Sequence, residues 1–338
     1  MQTKNVAVVG ATGAVGRTML EILAERSFPA GAVHAVASER SVGRRVPFAG
    51  RELEVMPLGD FDFRGVDVAL FSAGGSTSLE HAPRAAAAGA VVIDNTSAFR
   101  RDEDVPLVVP EVNPKEIAKR PRGIIANPNC STIQMVVALA PLHRRARIRR
   151  IVVATYQSVS GAGNRAMDEL RRTSADALAG KAVVPGPVFP HPIAFNCLPQ
   201  IDVFEGDGST KEEHKMAFET RKIFGDPSIG VSATCVRVPV LVGHAEAVNV
   251  EFEKPISPEE ARELLAKAPG VELVDAPGER LYPMQASCAG RDPVLVGRIR
   301  RDPSQANTLD MWIAADNLRK GAALNAVQIA ELLLLEVR

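Results

Sequence analysis

Residues 126 to 142 read ANPNCSTIQMVVALAPL and put a cysteine, Cys130, in front of an apolar helical face. Ile133, Val136, Val137 and Ala140 recur at the spacing of one side of a helix. The spacing predicts that Cys130 sits at or just before the first turn. There the positive end of the helix dipole favours a thiolate and lowers a thiol pKa. Asn127 and Asn129 bring amides to the same turn, and Pro128 stiffens the approach. A thiolate so placed is a candidate nucleophile. A free cysteine is also a good small core residue, and the local sequence leaves both readings open.

A second stretch with chemistry in it is VAVVGATGAVGRTML near the start. Gly10, Gly13 and Gly16 lie between a strand pattern and a helix pattern. The first allows a tight turn, the second a close approach of backbone to a pyrophosphate, and the third close packing of helix on strand. Helix N–H groups beyond the loop suit phosphate oxygens. The expected cofactor contacts are Gly10, Thr12, Gly13, Ala14, Val15 and Gly16. The second strand then ends in AVASERSVGRR. Glu39 is the only acid there, among Ser38, Arg40, Ser41 and Arg44. Hydroxyls and guanidinium forks suit a 2′-phosphate, so the stretch predicts NADP rather than NAD; an exposed basic loop is the plainer reading. FSAGGSTSLEHA repeats the pattern of small residues before a helix. Ser72, Gly74 and Thr77 either line the cofactor or cap that helix.

Other chemistries find little support. The four cysteines, Cys130, Cys197, Cys235 and Cys288, are far apart and form no CxxC pair, which predicts free thiols in a reducing cytoplasm and no zinc site. The histidines show no HExxH spacing, so no metal is expected. Lys plus Arg equals Asp plus Glu at 40 each, which argues against nucleic acid or an acidic membrane as the partner. The basic run from Arg144 to Arg150 reads as a solvated helix end. The opening residues carry no signal-peptide pattern, and the longest late apolar stretch, IAELLLLEV, is too short for a bilayer.

These groups need elements to position them. The chain of 338 residues is long enough for two domains. Strand patterns at Val6 to Val9, AVHAVAS, VDVALFSAG and AVVIDN alternate with helical ones, which predicts a parallel sheet. Beyond about Ile148 come longer alternating strands, RRIVVATYQSVSG, SATCVRVPVLVG, EAVNVEFE and PVLVGRIRRD, which predict an antiparallel sheet with one solvated or partner-covered face. The Pro-rich VVPGPVFPHPIAFNCLPQ reads as an irregular crossing segment. The final NLRKGAALNAVQIAELLLLEV reads as an amphipathic helix.

Seven stretches carry a resemblance over nearly the whole chain. GATGAVG, ASERSVGR, NPNCSTIQM, YQSVSGAG, PIAFNCLPQID, TCVRVPVLVGHAEAVNVEF and DNLRKGAALNAVQIAE occur in this order. The sequence thereby resembles the aspartate-β-semialdehyde dehydrogenases. The resemblance implies an α/β fold like that of glyceraldehyde-3-phosphate dehydrogenase. A Rossmann-type NADP-binding domain, expected at 1–130 and 316–338, would join an α+β catalytic and dimerisation domain at 131–315 with a mostly antiparallel sheet. It implies a cytoplasmic homodimer. The reaction would be NADP-dependent reduction of aspartyl phosphate to aspartate semialdehyde and phosphate, on the route to lysine, diaminopimelate, threonine, methionine and isoleucine.

The same resemblance implies the roles. Cys130 forms the thioester, His244 handles protons and Gln157 positions thiol or substrate. Arg237 grips the substrate carboxylate and Glu212 faces its amino group, with Glu213 a rival. Arg100 and Lys215 match a phosphate site, to which Asn129 adds a donor. Gly161 and Asn317 match cofactor contacts. Taken residue by residue, plainer readings stay open: a solvent-facing strand histidine, a strand-end glutamine, and a structural Glu212–Lys215 pair one turn apart. Cys197, Cys235 and Cys288 look structural. Two other functions remain: a sister reductase acting on N-acetylglutamyl phosphate, whose cysteine usually follows glycine, and a non-catalytic NADP-binding relative.

Overall fold

The computed structural model describes residues 3–335. Residues 1–2 and 336–338 of the predicted first domain lie outside the described residues. The chain divides into two compact units. The first ends at Pro128 and resumes at Ala322, and the second spans Asn129–Gly321.

In the first unit β1 (Lys4–Val9), β2 (Ala30–Ala37), β3 (Arg45–Phe48), β4 (Arg51–Pro57), β5 (Val68–Phe71), β6 (Val91–Asp94) and β7 (Ile124–Ala126) form one sheet in the order β3-β4-β2-β1-β5-β6-β7. All neighbours run parallel except the β3–β4 hairpin. Strand β1 is fully apolar and buried from Val6 to Val9, as a strand covered on both faces must be. The chain moves outward from β1 on one side through β2 and on the other through β5. The loops after β1 and β5 therefore flank the point where the strand order reverses, where open α/β sheets bind ligands. Helix α1 (Ala14–Glu25) follows the first loop and α2 (Gly75–Ala87) the second.

The C-terminal helix, Leu324–Leu335, belongs to this unit. Asn325 donates to Asn127 Oδ1 at 2.7 Å and to Val108 O at 3.0 Å, and Arg26 makes a two-pronged pair with Glu331. The sequence predicts an amphipathic helix here. Instead Leu324 to Val327, Ile329 and Ala330 are all buried, and Arg319–Ala323 is a wider turn ahead of it.

The second unit is built on helix α3 (Cys130–Ala146). Every residue from Ser131 to Ala140 is buried, because the helix lies under a sheet of six strands. The strands are β8 (Ile148–Gln157), β9 (Gly230–Arg237), β10 (His244–Phe252), β11 (Val271–Leu273), β12 (Val294–Arg301) and β13 (Thr308–Ala315), in the order β11-β12-β13-β10-β8-β9. The central pairings are antiparallel as expected, but β8–β9 and β11–β12 are parallel, so the sheet is mixed. Helices α4 (Asn164–Leu178), α5 (Lys211–Phe224), α6 (Pro258–Leu265) and the single turn α7 (Gln285–Cys288) complete the unit.

The units meet the chain at other residues than the sequence suggests. The breaks fall after Pro128 and Gly321, where the sequence reading put them after 130 and 315. Asn129 belongs with the second unit because its backbone N–H donates to Glu219 at 2.6 Å. Asp316 and Asn317 belong there because they hold Gly290 N and Gly243 N. The predicted strand SATCVRVPVLVG also stops early, at Arg237, two residues before Pro239.

Backbone at Gly10 has φ +91°, and a Cβ there would lie 2.4 Å from Ser72 O. Gly43 has φ +79° with nothing within 4 Å. Gly43→Ala should therefore cost only backbone strain, about 1 kcal/mol, whereas Gly10→Ala should cost clearly more and lower the apparent Tm further. Equal losses in thermal unfolding would contradict the close approach of the two loops.

Candidate active site

In the first unit the predicted cofactor residues form one group. Gly10 N donates to Val36 O at 2.8 Å, which turns the chain sharply after β1. A Cβ on Gly16 would meet Gly10 O at 2.2 Å, so the first turn of α1 packs directly on the loop. Gly13 is exposed and caps α1 without a side chain, with Ala14 and Val15 following as the first helical residues. Thr12 Oγ1 lies 3.3 Å from Ser41 Oγ, which joins the glycine loop to the turn after β2. On that turn Ser38 and Arg40 are exposed. Ser72 follows β5, Gly74 caps α2 at φ +100°, and Thr77 lies in the first turn. Gly10 and Gly16 allow the close approach of loop, strand and helix that a dinucleotide-binding turn needs, and Gly74 leaves open space at the start of α2. Arg100 is in this unit too, buried, with Nη2 donating to Asn95 O at 3.0 Å.

The second unit gathers Cys130, Asn129, Gln157, Gly161, Glu212, Lys215, Arg237, His244 and Asn317. Sheet register does most of this. Gln157 is opposite Arg237 on the parallel pair β8–β9, and Ala245 is opposite Tyr156 on the antiparallel pair β10–β8. Two strand ends and one strand start thus coincide at one end of three adjacent strands, and the three side chains share the buried face of the sheet.

Cys130 opens α3, as the spacing predicts. Asn129 is its cap: Oδ1 accepts from Ser131 N at 3.0 Å and Thr132 N at 3.2 Å, while Nδ2 donates to Glu212 Oε1 at 2.8 Å. The same carboxylate oxygen takes Gln157 Nε2 at 3.2 Å. The other oxygen takes Lys215 Nζ at 3.2 Å, and Lys215 also reaches Asp202 at 2.7 Å. Burial alone would lower the Lys215 pKa, but Glu212 and Asp202 outweigh it and hold the ammonium above its ordinary value.

Glu212 and Glu213 differ in what they hold. Glu213 closes a capping box with Thr210, and its other oxygen accepts from Cys235 N at 2.9 Å. Glu212 is left to face the cluster. Thr210 three residues ahead of Glu213 is the sequence signal for this.

Arg237 is buried, with Nη1 donating to Ser158 O at 2.7 Å. Burial lowers its pKa, and the charges of Glu212 and Cys130 oppose that fall. His244 is fully buried, so its pKa falls well below the ordinary value, helped by the Arg237 charge. It is not the solvent-facing strand residue that its local sequence allows. A Cβ on Gly161 would lie 3.0 Å from Arg237 Nη1 and 3.3 Å from His244 Nε2. Glycine there lets both groups face the same space. Asn317 is engaged with Ser158, Ser160 and Gly243 in this unit.

Sequence reasoning missed Ser158 and Ser160, although both lie in YQSVSGAG, and Glu246, two residues after His244 on the same face of β10. Burial raises the Glu246 pKa well above the carboxylate range, with Gln134 alone opposing it. Among the other thiols, burial pushes Cys288 up to about 12 and Cys235 up strongly, so neither is a ready nucleophile. Among the described residues no cluster of His, Cys, Asp or Glu could hold a metal, and no helix is long and apolar enough to cross a membrane.

Comparison with known proteins agrees with this layout. Residues 5–120 match the family model "Semialdehyde dehydrogenase, NAD binding domain", and 139–320 match "Semialdehyde dehydrogenase, dimerisation domain". An aspartate-semialdehyde dehydrogenase of Aquifex aeolicus is 58% identical over 333 residues, 98% of each chain. The crystal structure of aspartate semialdehyde dehydrogenase II of Vibrio cholerae complexed with ASA has 55% identity, covers 99% of both chains and superposes with a TM-score of 0.96. The Candida albicans aspartate semialdehyde dehydrogenase with NADP has 26% identity, covers 98% of each chain and has a TM-score of 0.78. With two domain models in the expected order and such identity over the full length, the chain belongs to the aspartate-semialdehyde dehydrogenase family of oxidoreductases.

Proposed function

We propose that the chain interconverts aspartyl phosphate and aspartate semialdehyde plus phosphate through a thioester on Cys130, with NADP as its cofactor. The observation that carries this reading is the closed set of contacts around the first turn of α3. Asn129, next to the sulfur, is bonded to Glu212, and Glu212 to Gln157, while Arg237 and His244 converge over Gly161.

When bound, the nicotinamide cofactor supplies or accepts the hydride. The chain does the rest. In the oxidative direction the Cys130 sulfur bonds to the aldehyde carbon, and the carbonyl electron pair moves to oxygen. Loss of hydride from that carbon leaves a thioester. A phosphate oxygen then attacks, the carbon–sulfur bond breaks, and the electron pair returns to sulfur. The biosynthetic direction is the reverse. A thiolate is needed as nucleophile and as leaving group, which suits the positive end of a buried helix.

Substrate recognition follows from charge. Arg237 offers a planar fork to the substrate carboxylate. Glu212 is the anionic partner for its amino group, and Lys215 stays cationic for phosphate. The exposed Arg40, next to Ser38 and Ser41 in sequence, supports recognition of a 2′-phosphate. The mixed sheet leaves Trp312, Tyr156 and Ala247 only partly covered on the face away from α3, and we assign that face to a homodimer. The free thiols and the biosynthetic reaction support a cytoplasmic location.

NADPH formation from aspartate semialdehyde beyond the first equivalent should require inorganic phosphate, and all of it should be lost in Cys130→Ala. Turnover that survives the substitution contradicts the thioester route, and activity confined to the N-acetylglutamyl substrate contradicts the substrate. Arg40→Ala should raise the KM for NADP by roughly tenfold, the size of one charge-assisted hydrogen bond, and leave that for NAD nearly unchanged. Parallel changes for both cofactors would remove Arg40 from 2′-phosphate recognition.

A further inference from the structure

One glycine beside the first turn of α3 is not there for its backbone. Gly321 lies in the wide turn Arg319–Ala323, and its φ is not among the positive ones. Glycine weakens a helical turn relative to alanine, so the residue type answers to something else. A Cβ on Gly321 would stand 2.9 Å from Cys130 Cβ, 3.3 Å from Cys130 Cα and 3.6 Å from Asn317 Cβ. Non-bonded carbons are best separated by about 3.5–4.0 Å. Only a residue without a side chain fits against the carbons that carry the Cys130 sulfur.

Both sides of this contact are held. Gly321 N donates to Asp316 O at 3.1 Å, the long-range bond of a π-type turn, a feature that recurs at functional sites. Asp316 is buried and accepts from Leu318 N at 2.8 Å and Arg319 N at 3.1 Å through one oxygen, and from Gly290 N at 2.7 Å through the other. Asn317 holds Gly243 N at 2.9 Å. The turn is thus tied to the end of β13 and to the loops ahead of β12 and β10. On the other side, Asn129 caps α3 and its own backbone N–H is held by Glu219. Two close-packed and anchored parts do not absorb an added methyl without displacement.

We propose that Gly321 is a positioning residue for the nucleophile: the wide turn presents bare backbone to Cys130 and fixes where its Cβ stands. The inference rests on Cys130 as the nucleophile and deepens that reading. Attack needs sulfur and carbonyl carbon aligned at about 3–3.5 Å, so a small displacement of the sulfur is felt in the rate. The position also sets the charge on sulfur. The positive end of α3 acts within the first turn only, and the Arg237 guanidinium and the Cys130 sulfur interact through their charges. A methyl on Gly321 pushes Cys130 out of the place where both act.

Gly321→Ala tests the seat, with Gly278→Ala as control, an exposed turn glycine whose added Cβ would meet nothing within 4 Å. Alkylation of Cys130 by iodoacetamide, followed on its own peptide by mass spectrometry, reads the sulfur without turnover. In Gly321→Ala the pH midpoint of alkylation should rise by about half a unit, the size of a weakened helix-end interaction. The first equivalent of NADPH should form about tenfold more slowly. Gly278→Ala should match the parent in both. Either readout unchanged in a folded Gly321→Ala overturns the proposal, because a purely structural glycine would lower the Tm alone. Cys130→Gly removes the Cβ that the new methyl would meet. Gly321→Ala should therefore be better tolerated in that background, as a smaller loss of Tm or as recovered folding. An equal loss in both backgrounds overturns the contact. Alkylation and Tm need no substrate, so a parent protein that forms no NADPH while the alkylation shift is present counts against the reaction alone.

Discussion

Asn129 is the residue on which the second unit turns. Its helix is buried from the first turn, so the free N–H groups at the start have no water to satisfy them. The Asn129 carboxamide oxygen takes two of them, its nitrogen is held by Glu212, and its own backbone N–H is held by Glu219. One residue thus fixes where the helix begins, and so where the Cys130 sulfur stands relative to a buried carboxylate. The positive helix end and the network of α5 are joined at a single side chain. Losing the cap would cost about 1 kcal/mol by itself, and more here, because the buried Glu212 would lose a donor.

The second constraint is register. Catalysis needs side chains from distant parts of the sequence within a few ångströms, and the ends of adjacent strands supply that without a flexible loop. Parallel pairing of β8 with β9 and antiparallel pairing of β8 with β10 bring Gln157, Arg237 and His244 to the same end of the sheet. A slip of one residue in either pairing would turn one of them to the opposite face. The parallel β8–β9 pair is the feature that a purely antiparallel reading leaves out. It needs a long crossover, and residues 158–229 provide it, carrying Ser158, Gly161, Glu212 and Lys215 on the way. The connection that makes the pairing possible also supplies part of the site.

Legibility in the sequence followed physical locality. The β1–loop–α1 element was readable because its glycines, apolar strand and helix period are contiguous. The start of α3 was readable for the same reason. The β3–β4 hairpin and β13 went unread: β3 is four residues long and half exposed, and β13 was hidden because Asp310 and Trp312 sit on its less covered face. The last helix was misjudged as amphipathic since its burial comes from several sides at once. Site residues separated by eighty positions were assigned by resemblance alone, and what the contacts add is the division of labour between Glu212 and Glu213, and the serines behind His244. No period or local motif encodes those, because they depend on which strand ends meet.

The claim at the centre of this account is that the substrate is held for a time as a thioester on Cys130. The most direct measurement is mass spectrometry of the protein mixed with aspartate semialdehyde and NADP without phosphate, followed by peptide mapping. The account predicts one aspartyl group on the peptide containing Cys130, formed along with one equivalent of NADPH and removed on adding phosphate. An adduct on another residue, or NADPH formed in step with phosphate and no adduct at any time, would contradict it.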